Sequence, residues 1–309
     1  MSIRLCLAIF ALAIYAPSQA EIYRWVDQNG KVQFSDRKVS GVKQKVVTLE
    51  KVESDWSRYN ISIDAIDVNI TPKEIESIVD GVNNVYEFYD RVLYFDMYKT
   101  IPVSILILKD RDAYRNYLIE RNQSNLIDSY GLYFPKDNQI IVYVRKDREG
   151  TFRTIRHEVS HAVVDTIMPY APAWINEGLA EQMETIKRNE SGLYIEPHRI
   201  NRLVMAQAVK KGDSTNISDF LKLPSREWRH SLTDGKKSLQ AQAGQFIYFL
   251  LATPPNRSFV IRLMHQFERG ERKLSYYLVD DNYIGGVKTM EIMWDNWIEI
   301  QPQTTVNFF

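Results

Sequence analysis

Residues 151–181 read TFRTIRHEVSHAVVDTIMPYAPAWINEGLAE, and the organisation of the whole chain can be worked out from them. Apolar residues recur at helical spacing as far as Ile167, and Pro169 then ends this first helix. Thr151 is a suitable cap for its start. A second helix is predicted to begin directly after Pro172. The stretch therefore predicts two consecutive helices joined by a short turn.

The first helix carries two histidines, His157 and His161, four residues apart. At 3.6 residues per turn they project from one face with their rings close together, and neutral imidazoles placed in this way can share a cation. Glu158 lies about 100° round the helix, where a glutamate polarises a metal-bound water instead of binding the metal. Two surface histidines on an amphipathic helix are the alternative, because a chance His-Glu-x-x-His arises in about one such chain in a hundred.

The second helix carries two carboxylates on a common face, Glu177 and Glu181. A catalytic zinc ion needs three protein ligands and a water, and two histidines with one glutamate are a standard set. A helix–turn–helix would return such a carboxylate to the two histidines. The residues therefore predict a site for one Zn²⁺ ion, with Glu177 or Glu181 as the third ligand.

Two segments resemble the peptidase MA-like family of gluzincin zinc metallopeptidases, residues 157–161 (HEVSH) and residues 174–181 (WINEGLAE). Members share His-Glu-x-x-His followed by Trp-x-x-Glu-Gly-x-Ala-Glu. The resemblance implies a zincin-like domain that hydrolyses peptide bonds. It also implies that the zinc ion is bound by His157, His161 and Glu177.

The resemblance assigns roles to two further carboxylates. Glu158 is implied to be the general base, which takes a proton from the metal-activated water and returns it to the leaving amine. Glu181, one turn beyond Glu177, is implied to orient a ligand histidine. Glu177 follows His161 by 16 residues, a shorter interval than in some other gluzincins, although short intervals also occur in the MA-like family. With the longer interval, Glu181 would be the ligand.

The resemblance weakens beyond these helices. Residues 240–246 read QAQAGQF, and Gln240 stands where relatives often have a tyrosine. If that tyrosine stabilises the oxyanion in relatives, this chain must use another donor. Tyr248, His230 and His198 are candidates, although polar residues outside a defined constellation usually satisfy local hydrogen bonds only.

The first twenty residues have the pattern of a secretory signal peptide. Arg4 gives a positive start, residues 5–16 are almost wholly apolar, and residues 18–20 (SQA) provide a cleavage site. About a dozen apolar residues are too few for a comfortable membrane span, which needs about 20, so an uncleaved anchor is the weaker alternative. We therefore expect a periplasmic or secreted protein with no stable membrane insertion after cleavage.

Charge and cysteine content exclude several classes of function. Lysine plus arginine equals aspartate plus glutamate at 39 each, so no net field favours nucleic acid or anionic lipid. The single cysteine, Cys6, lies in the predicted signal peptide, which leaves the mature chain without a thiol. Any metal must then be bound through histidine and carboxylate ligands. We expect a peptide or protein substrate, with a cell-envelope component as a further option, and no nucleic-acid partner.

The region after the signal peptide predicts a small β module. Residues 22–26 and 31–35 alternate large residues about a turn at residues 27–30, which indicates a β-hairpin. The pattern Tyr-x-Trp-x-Asp-x-x-Gly-x-x-x-Phe-Ser-Asp over residues 23–36 resembles an uncharacterised domain often found after the signal peptide in exported proteobacterial proteins. Residues 37–60 indicate a polar connector with a short strand near Val46, Val47 and Leu49.

The remainder predicts a domain of the α+β class. The expected elements before residue 151 are a helix from Thr71-Pro72 to Val92, a buried strand over 101–108, a helix over 111–121 and a hairpin of strands 130–134 and 139–144. The predicted zincin-like domain thus has a small mixed sheet, an active-site helix and a mostly helical C-terminal half. We divide the chain into a signal peptide (1–20), the small β module with its connector (21–54) and a gluzincin-like zinc hydrolase domain (55–309).

We consider three classes of function. The leading hypothesis is an exported zinc metallopeptidase, in which the strand over residues 139–144 could pair with an extended peptide substrate; amide hydrolysis of a non-protein substrate such as a cell-wall peptide is its closest rival. The alternative from another class is a catalytically weak or inactive gluzincin-like scaffold or binding protein of the cell envelope, which Gln240 would permit. In the third, the N-terminal module binds envelope components while the catalytic domain is latent.

Overall fold

A computed structural model of the chain describes residues 61–95, 97, 103–224, 226–228, 237–300 and 302–308, together with three N-terminal strands and the single residues 38 and 41. The chain divides into two compact units, Met1–Asp55 and Trp56–Phe309. The predicted signal peptide (1–20) and the turn at residues 27–30 lie outside the described residues.

The N-terminal unit contains a three-stranded antiparallel sheet. Strand β1 (Ile22–Val26) pairs with β2 (Val32–Ser35) on one side and with β3 (Lys45–Val47) on the other. The predicted hairpin is therefore confirmed, and the short strand expected in the connector is present as the third strand of its sheet.

The larger unit begins with a four-stranded mixed sheet in the order β4-β5-β7-β6. Its strands are β4 (Ile61–Ile66), β5 (Val103–Leu108), β6 (Gly131–Phe134) and β7 (Gln139–Tyr143). β4, β5 and β7 run parallel, whereas β6 runs antiparallel to β7. The predicted buried strand and second hairpin are confirmed. The prediction that residues 139–144 offer a free edge to a substrate is wrong, because β7 is paired on both sides.

Helix α1 (Pro72–Glu87) packs against α3 (Arg148–Ile167), and α3 and α2 (Arg111–Glu120) pack on this sheet. Helix α1 confirms the helix expected from Thr71-Pro72. Thr71 and Glu74 form a capping box at its start, in which the Thr71 hydroxyl accepts from the Glu74 N–H and the Glu74 carboxylate accepts from the Thr71 N–H. Its last predicted turn is instead a π-helical turn, Phe88–Val92.

The two central strands are buried on both faces, so their side chains alternate between two cores. Ile105 and Val142 belong to the main core, to which α1 and α3 also contribute. Leu106 and Ile141 belong to a smaller core that includes Tyr114 of α2. This sandwich holds α3, the helix with the histidine pair, directly against the sheet.

The predicted start of the motif helix is wrong. α3 begins at Arg148 with Asp147 at its N-cap position, so Thr151 lies within the first turn. The Thr151 hydroxyl instead accepts a hydrogen bond from the Arg145 backbone N–H at 3.0 Å. Thr151 therefore links the segment that follows β7 to the helix. The preference of threonine for N-cap positions does not reveal this tertiary contact.

The rest of the larger unit is mostly helical, as predicted, but it also contains a small antiparallel sheet. The helices are α4 (Ala173–Thr185), α5 (Arg199–Lys211), α6 (Ile217–Phe220), α7 (Lys237–Ala252), α8 (Pro254–Glu268), α9 (Ser275–Asn282) and α10 (Gly286–Ile300). The sheet has the order β10-β9-β8, formed by β8 (Ile186–Asn189), β9 (Gly192–Ile195) and β10 (Val306–Asn307).

Helix α4 crosses α7 at very short range because a glycine lies at the crossing. A Cβ atom on Gly178 would lie 2.7 Å from the backbone oxygen of Ala243 and 2.4 Å from Cγ1 of Ile247. The amide of Gln182 donates to the backbone oxygen of Gly244 at 2.7 Å, which fixes the two helices at this separation. The crossing holds the α4 face that carries Glu177 in a defined place.

Candidate metal centre

The two histidines of α3 lie side by side, as their spacing predicts. The ring centroids of His157 and His161 are 4.9 Å apart, with the ring planes 82° to each other. Their side chains are only 10% and 16% exposed. Both histidines are therefore largely buried at the edge of the core, unlike two solvated histidines on a helix surface.

Glu177 is the carboxylate that approaches both histidines. Its Oε2 atom lies 3.8 Å from Nε2 of His157, and its Oε1 atom lies 3.9 Å from Nε2 of His161. Two ligands of a tetrahedral zinc ion, each at 2.0 to 2.1 Å from the metal, are about 3.4 Å apart. Small side-chain adjustments would therefore close these three donors around an ion, and two imidazoles with one carboxylate are a donor set that Zn²⁺ accepts.

Asn176, immediately before Glu177, sets the tautomer of one ligand. Its Oδ1 atom lies 2.9 Å from Nδ1 of His161. Since an amide oxygen only accepts, Nδ1 of His161 carries the proton and Nε2 keeps a free lone pair toward Glu177. Gln240 donates from its amide to Oε2 of Glu177 at 3.4 Å, so the residue at the expected tyrosine position contacts the candidate ligand itself.

Glu158 is buried beneath the antiparallel strand β6. A Cβ atom on Gly131 would lie 3.2 Å from Cγ of Glu158 and 2.6 Å from Cγ2 of Thr154, so this glycine lets β6 approach the helix. Burial raises the pKa of Glu158, and the charge of Glu177 adds to this, while the two histidines and a hydrogen bond from the Tyr133 backbone N–H act against it. The carboxyl therefore holds a proton more readily than an ordinary glutamate.

Two further carboxylates face Nδ1 of His157, the nitrogen on the side of the ring away from Glu177, and Glu181 is the more distant of them. Oε1 of Glu181 is 3.9 Å from Nδ1 of His157, whereas Oε1 of Glu184 is 3.1 Å from the same atom. Nδ1 of His157 is buried without a hydrogen-bond partner, so the contact with Glu184 is a close approach of opposite charges and not a formed hydrogen bond. Sequence reasoning missed Glu184, although its place seven residues after Glu177 puts it on the same helical face.

The charges around Nδ1 of His157 are strongly coupled. Burial opposes a charge on His157, but the carboxylates of Glu184, Glu158 and Glu181 outweigh it and raise the pKa of His157 to about 10. Burial and the charge of Glu184 raise the pKa of Glu181 to about 7. Burial would also raise the pKa of Glu184, but His157 and His198 outweigh it and lower that pKa. A bound metal ion would displace a proton from His157, since a ligating imidazole must be neutral.

Two of the three candidate oxyanion donors, Tyr248 and His198, have local structural partners. The Tyr248 hydroxyl donates to the backbone oxygen of Thr304. His198 contacts Glu184 at 3.2 Å, on the Nδ1 side of His157 and not on the side where Glu177 lies. His230 lies outside the described residues.

Comparison with known families bears on the N-terminal unit. Residues 6–55 match the family described as Domain of unknown function (DUF4124), which is typical of exported proteins. The match confirms the resemblance seen in residues 23–36 and covers too little of the chain to identify the larger unit. No curated protein matches this sequence. Within the described part of the chain, no helix is long and apolar enough to cross a membrane.

Proposed function

We propose that this protein is an exported zinc metallopeptidase whose larger unit is a zincin-like domain of the gluzincin kind. One observation carries the proposal: Glu177 approaches Nε2 of both His157 and His161, at 3.8 and 3.9 Å, from the neighbouring helix. A carboxylate at chance positions on a helix surface has no reason to meet both histidines of such a motif on their metal-binding nitrogens. Of the two motif histidines, Glu181 approaches only His157, and it does so at Nδ1.

The residues of the site divide into ligands and a base. A zinc ion held by His157, His161 and Glu177 would act as a Lewis acid and let water ionise near pH 7. Glu158 is buried beside the ligands with a raised pKa, so it can take the proton of the attacking water and pass it to the leaving amine nitrogen. Asn176 keeps Nε2 of His161 unprotonated for the metal.

The substrate strand is assigned to β6. In the described sheet β6 is the edge strand beside α3, and it places Gly131 against Glu158. An extended peptide can add to such an edge through backbone hydrogen bonds, with its scissile carbonyl brought toward the histidine pair. The substrate class proposed is therefore an extended segment of peptide or unfolded protein.

The proposed location of the activity is supported by the N-terminal unit. The DUF4124 match supports export, and the signal-peptide pattern of residues 1–20 supports a periplasmic or secreted mature protein. The proposed partner is a peptide or protein substrate of that compartment.

The test is hydrolysis of a broad mixture of unstructured peptides by the mature chain, residues 21–309, with and without a chelator. We expect hydrolysis that the chelator abolishes and that added Zn²⁺ restores, and no hydrolysis by His161→Ala. Stoichiometric zinc without hydrolysis of any peptide would favour an inactive scaffold. Hydrolysis that survives both the chelator and His161→Ala would contradict the proposal.

A further inference from the structure

We infer that Glu184 and His198 form a positioning pair that fixes the ring of His157 for metal binding. The family resemblance gives this task to Glu181, and helical spacing alone does not reveal the pair. The inference rests on the proposed zinc site and adds two residues to it. Glu184 and His198 lie on the Nδ1 side of His157, away from the Nε2 atom that would bind the metal. Both therefore act through the orientation of the His157 ring.

The carboxylate of Glu184 bridges two imidazoles. Its Oε1 atom is 3.1 Å from Nδ1 of His157, and its Oε2 atom is 3.2 Å from Nε2 of His198. Glu181 lies farther from both rings, at 3.9 and 3.8 Å, and its Oε2 atom instead accepts a hydrogen bond from the Asn201 amide at 2.7 Å. Glu184 is thus the carboxylate best placed to hold Nδ1 of His157.

Arg156 fixes the backbone of Glu184. Its guanidinium donates to the backbone oxygens of Met183 at 3.1 Å and Glu184 at 2.9 Å, so it caps the last turn of α4. Arg156 immediately precedes His157 on α3. The helix that carries the imidazole of His157 therefore also holds the backbone of Glu184, whose carboxylate faces that imidazole. The separation of His157 and Glu184 is therefore set from one rigid element.

His198 fixes the side chain of Glu184. It is the N-cap of α5, where its Nδ1 atom accepts the backbone N–H of Asn201 at 3.2 Å. Burial opposes a charge on His198 while Glu184 and Glu181 favour one, which raises its pKa overall, but a doubly protonated ring could not act as this cap. The cap therefore favours the neutral ring with its proton on Nε2, the nitrogen that faces Glu184.

The chain of contacts has a direct consequence for the metal. Oε1 of Glu184 is the nearest acceptor for a proton on Nδ1 of His157, and a small turn of the ring would complete the hydrogen bond that this buried nitrogen lacks. A proton held on Nδ1 leaves the lone pair of Nε2 facing Glu177. A carboxylate behind a ligand histidine also raises its basicity, and losing such a partner typically weakens metal binding by about 10 to 100-fold. Removing Glu184 or His198 should therefore weaken zinc binding more than it lowers the stability of the fold.

The experiment compares zinc affinity in Glu184→Gln and the matched control Glu181→Gln. Zn²⁺ binding is measured by competition with a chromophoric chelator, and the absorption spectrum of the Co²⁺-loaded protein reports the ligand geometry. We expect Glu184→Gln to weaken zinc binding by about 10 to 100-fold and to change the Co²⁺ spectrum, with a smaller loss in Glu181→Gln. An equal or larger loss in Glu181→Gln would overturn the inference.

A second variant separates positioning by His198 from its capping of α5. Asparagine is among the best N-cap residues but is too short to reach Glu184, so His198→Asn keeps the cap and removes the contact. We expect weaker zinc binding with little change in Tm. Unchanged zinc affinity in His198→Asn would show that His198 is only a cap.

Failure of the inference can be told apart from failure of the proposed function. If His161→Ala loses zinc while Glu184→Gln binds it like the wild type, the zinc site stands and the positioning pair falls. His157, Glu181 and Glu184 also place one ligand atom each within 4.8 Å of one another. If Glu184→Gln abolishes zinc binding and His161→Ala does not, the ion binds in that second group, and both proposals fail. A wild type that binds no zinc also contradicts both.

Discussion

Oε2 of Glu177 lies 3.8 Å from Nε2 of His157, whereas Glu181, one helical turn later, comes within 3.9 Å of the other nitrogen of the same ring. An imidazole that binds a metal through one nitrogen presents its other nitrogen to a hydrogen-bond acceptor. Glu177 and Glu181 therefore face opposite sides of one ligand, and of these two only Glu177 is placed to share the ion.

This difference predicts unequal losses of zinc in two alanine variants. Glu181→Ala should weaken zinc binding by at most about 100-fold, the range for a residue that supports a ligand. Glu177→Ala should weaken it further, because one of three protein ligands is removed. Chelator competition measures both values. A larger loss in Glu181→Ala would assign the third ligand to Glu181, as the longer interval of some other gluzincins implies.

The crossing of α4 and α7 predicts that Gly178→Ala disturbs both stability and metal binding. The added methyl would lie 2.7 Å from the backbone oxygen of Ala243, so the helices must separate beside Glu177. Overpacking of this kind costs about 1 to 3 kcal/mol. Thermal unfolding should therefore show a lower Tm, and zinc competition should show a higher Kd for zinc.

The control for this variant is Gly212→Ala. Gly212 has a φ of +72° and open space around its Cβ position, so alanine there is strained by about 1 kcal/mol without touching the site. Its Tm should fall while its zinc affinity stays unchanged. Equal zinc affinity in Gly178→Ala and the wild type would mean that the crossing does not position Glu177.

The approach of β6 to α3 predicts a catalytic defect in Gly131→Ala with zinc retained. A methyl at this position would meet Cγ2 of Thr154 at 2.6 Å and Cγ of Glu158 at 3.2 Å, so the strand and the general base must move apart. We expect a lower kcat in peptide hydrolysis at normal zinc content, since Glu158 does not bind the metal.

Tyr114→Phe is a suitable comparison for Gly131→Ala. It removes a hydroxyl that lies 2.6 Å from Oγ of Ser129 in the smaller core, on the other face of the sheet. The loss should cost about 1 kcal/mol of stability and leave kcat unchanged. If Tyr114→Phe lowers kcat as much as Gly131→Ala does, the defect is general destabilisation and β6 has no special role.

Much of the fold can be predicted from local patterns. The apolar spacing after Thr71-Pro72, the apolar run ending at Leu108 and the pairing of His157 with His161 depend on residues near one another in the chain, and the structure has each of them. The strand β4 was missed because it is an edge strand with mostly exposed residues and gives a weak apolar signal.

The features that failed prediction depend on contacts distant in sequence. Residues 139–143 precede α3 directly and look like an edge, but parallel pairing with β5 buries them, and strand order is not encoded in the strand itself. Likewise, His198 reaches Glu184 because the β8–β9 hairpin turns the chain back. Asn189 and Gly192, which flank the two-residue turn, could have indicated that hairpin, and the Asn189 side chain accepts the Ser191 N–H at 2.8 Å.

The most direct test of the account is the rate of peptide hydrolysis by Glu158→Gln compared with the wild type at matched zinc content. Removing a general base typically lowers the rate by about 100 to 10,000-fold, and Glu158 is not one of the three proposed ligands. We therefore predict one zinc ion per chain in both proteins and a loss of hydrolysis of that order in the variant. An unchanged rate at equal zinc content would contradict the proposed mechanism.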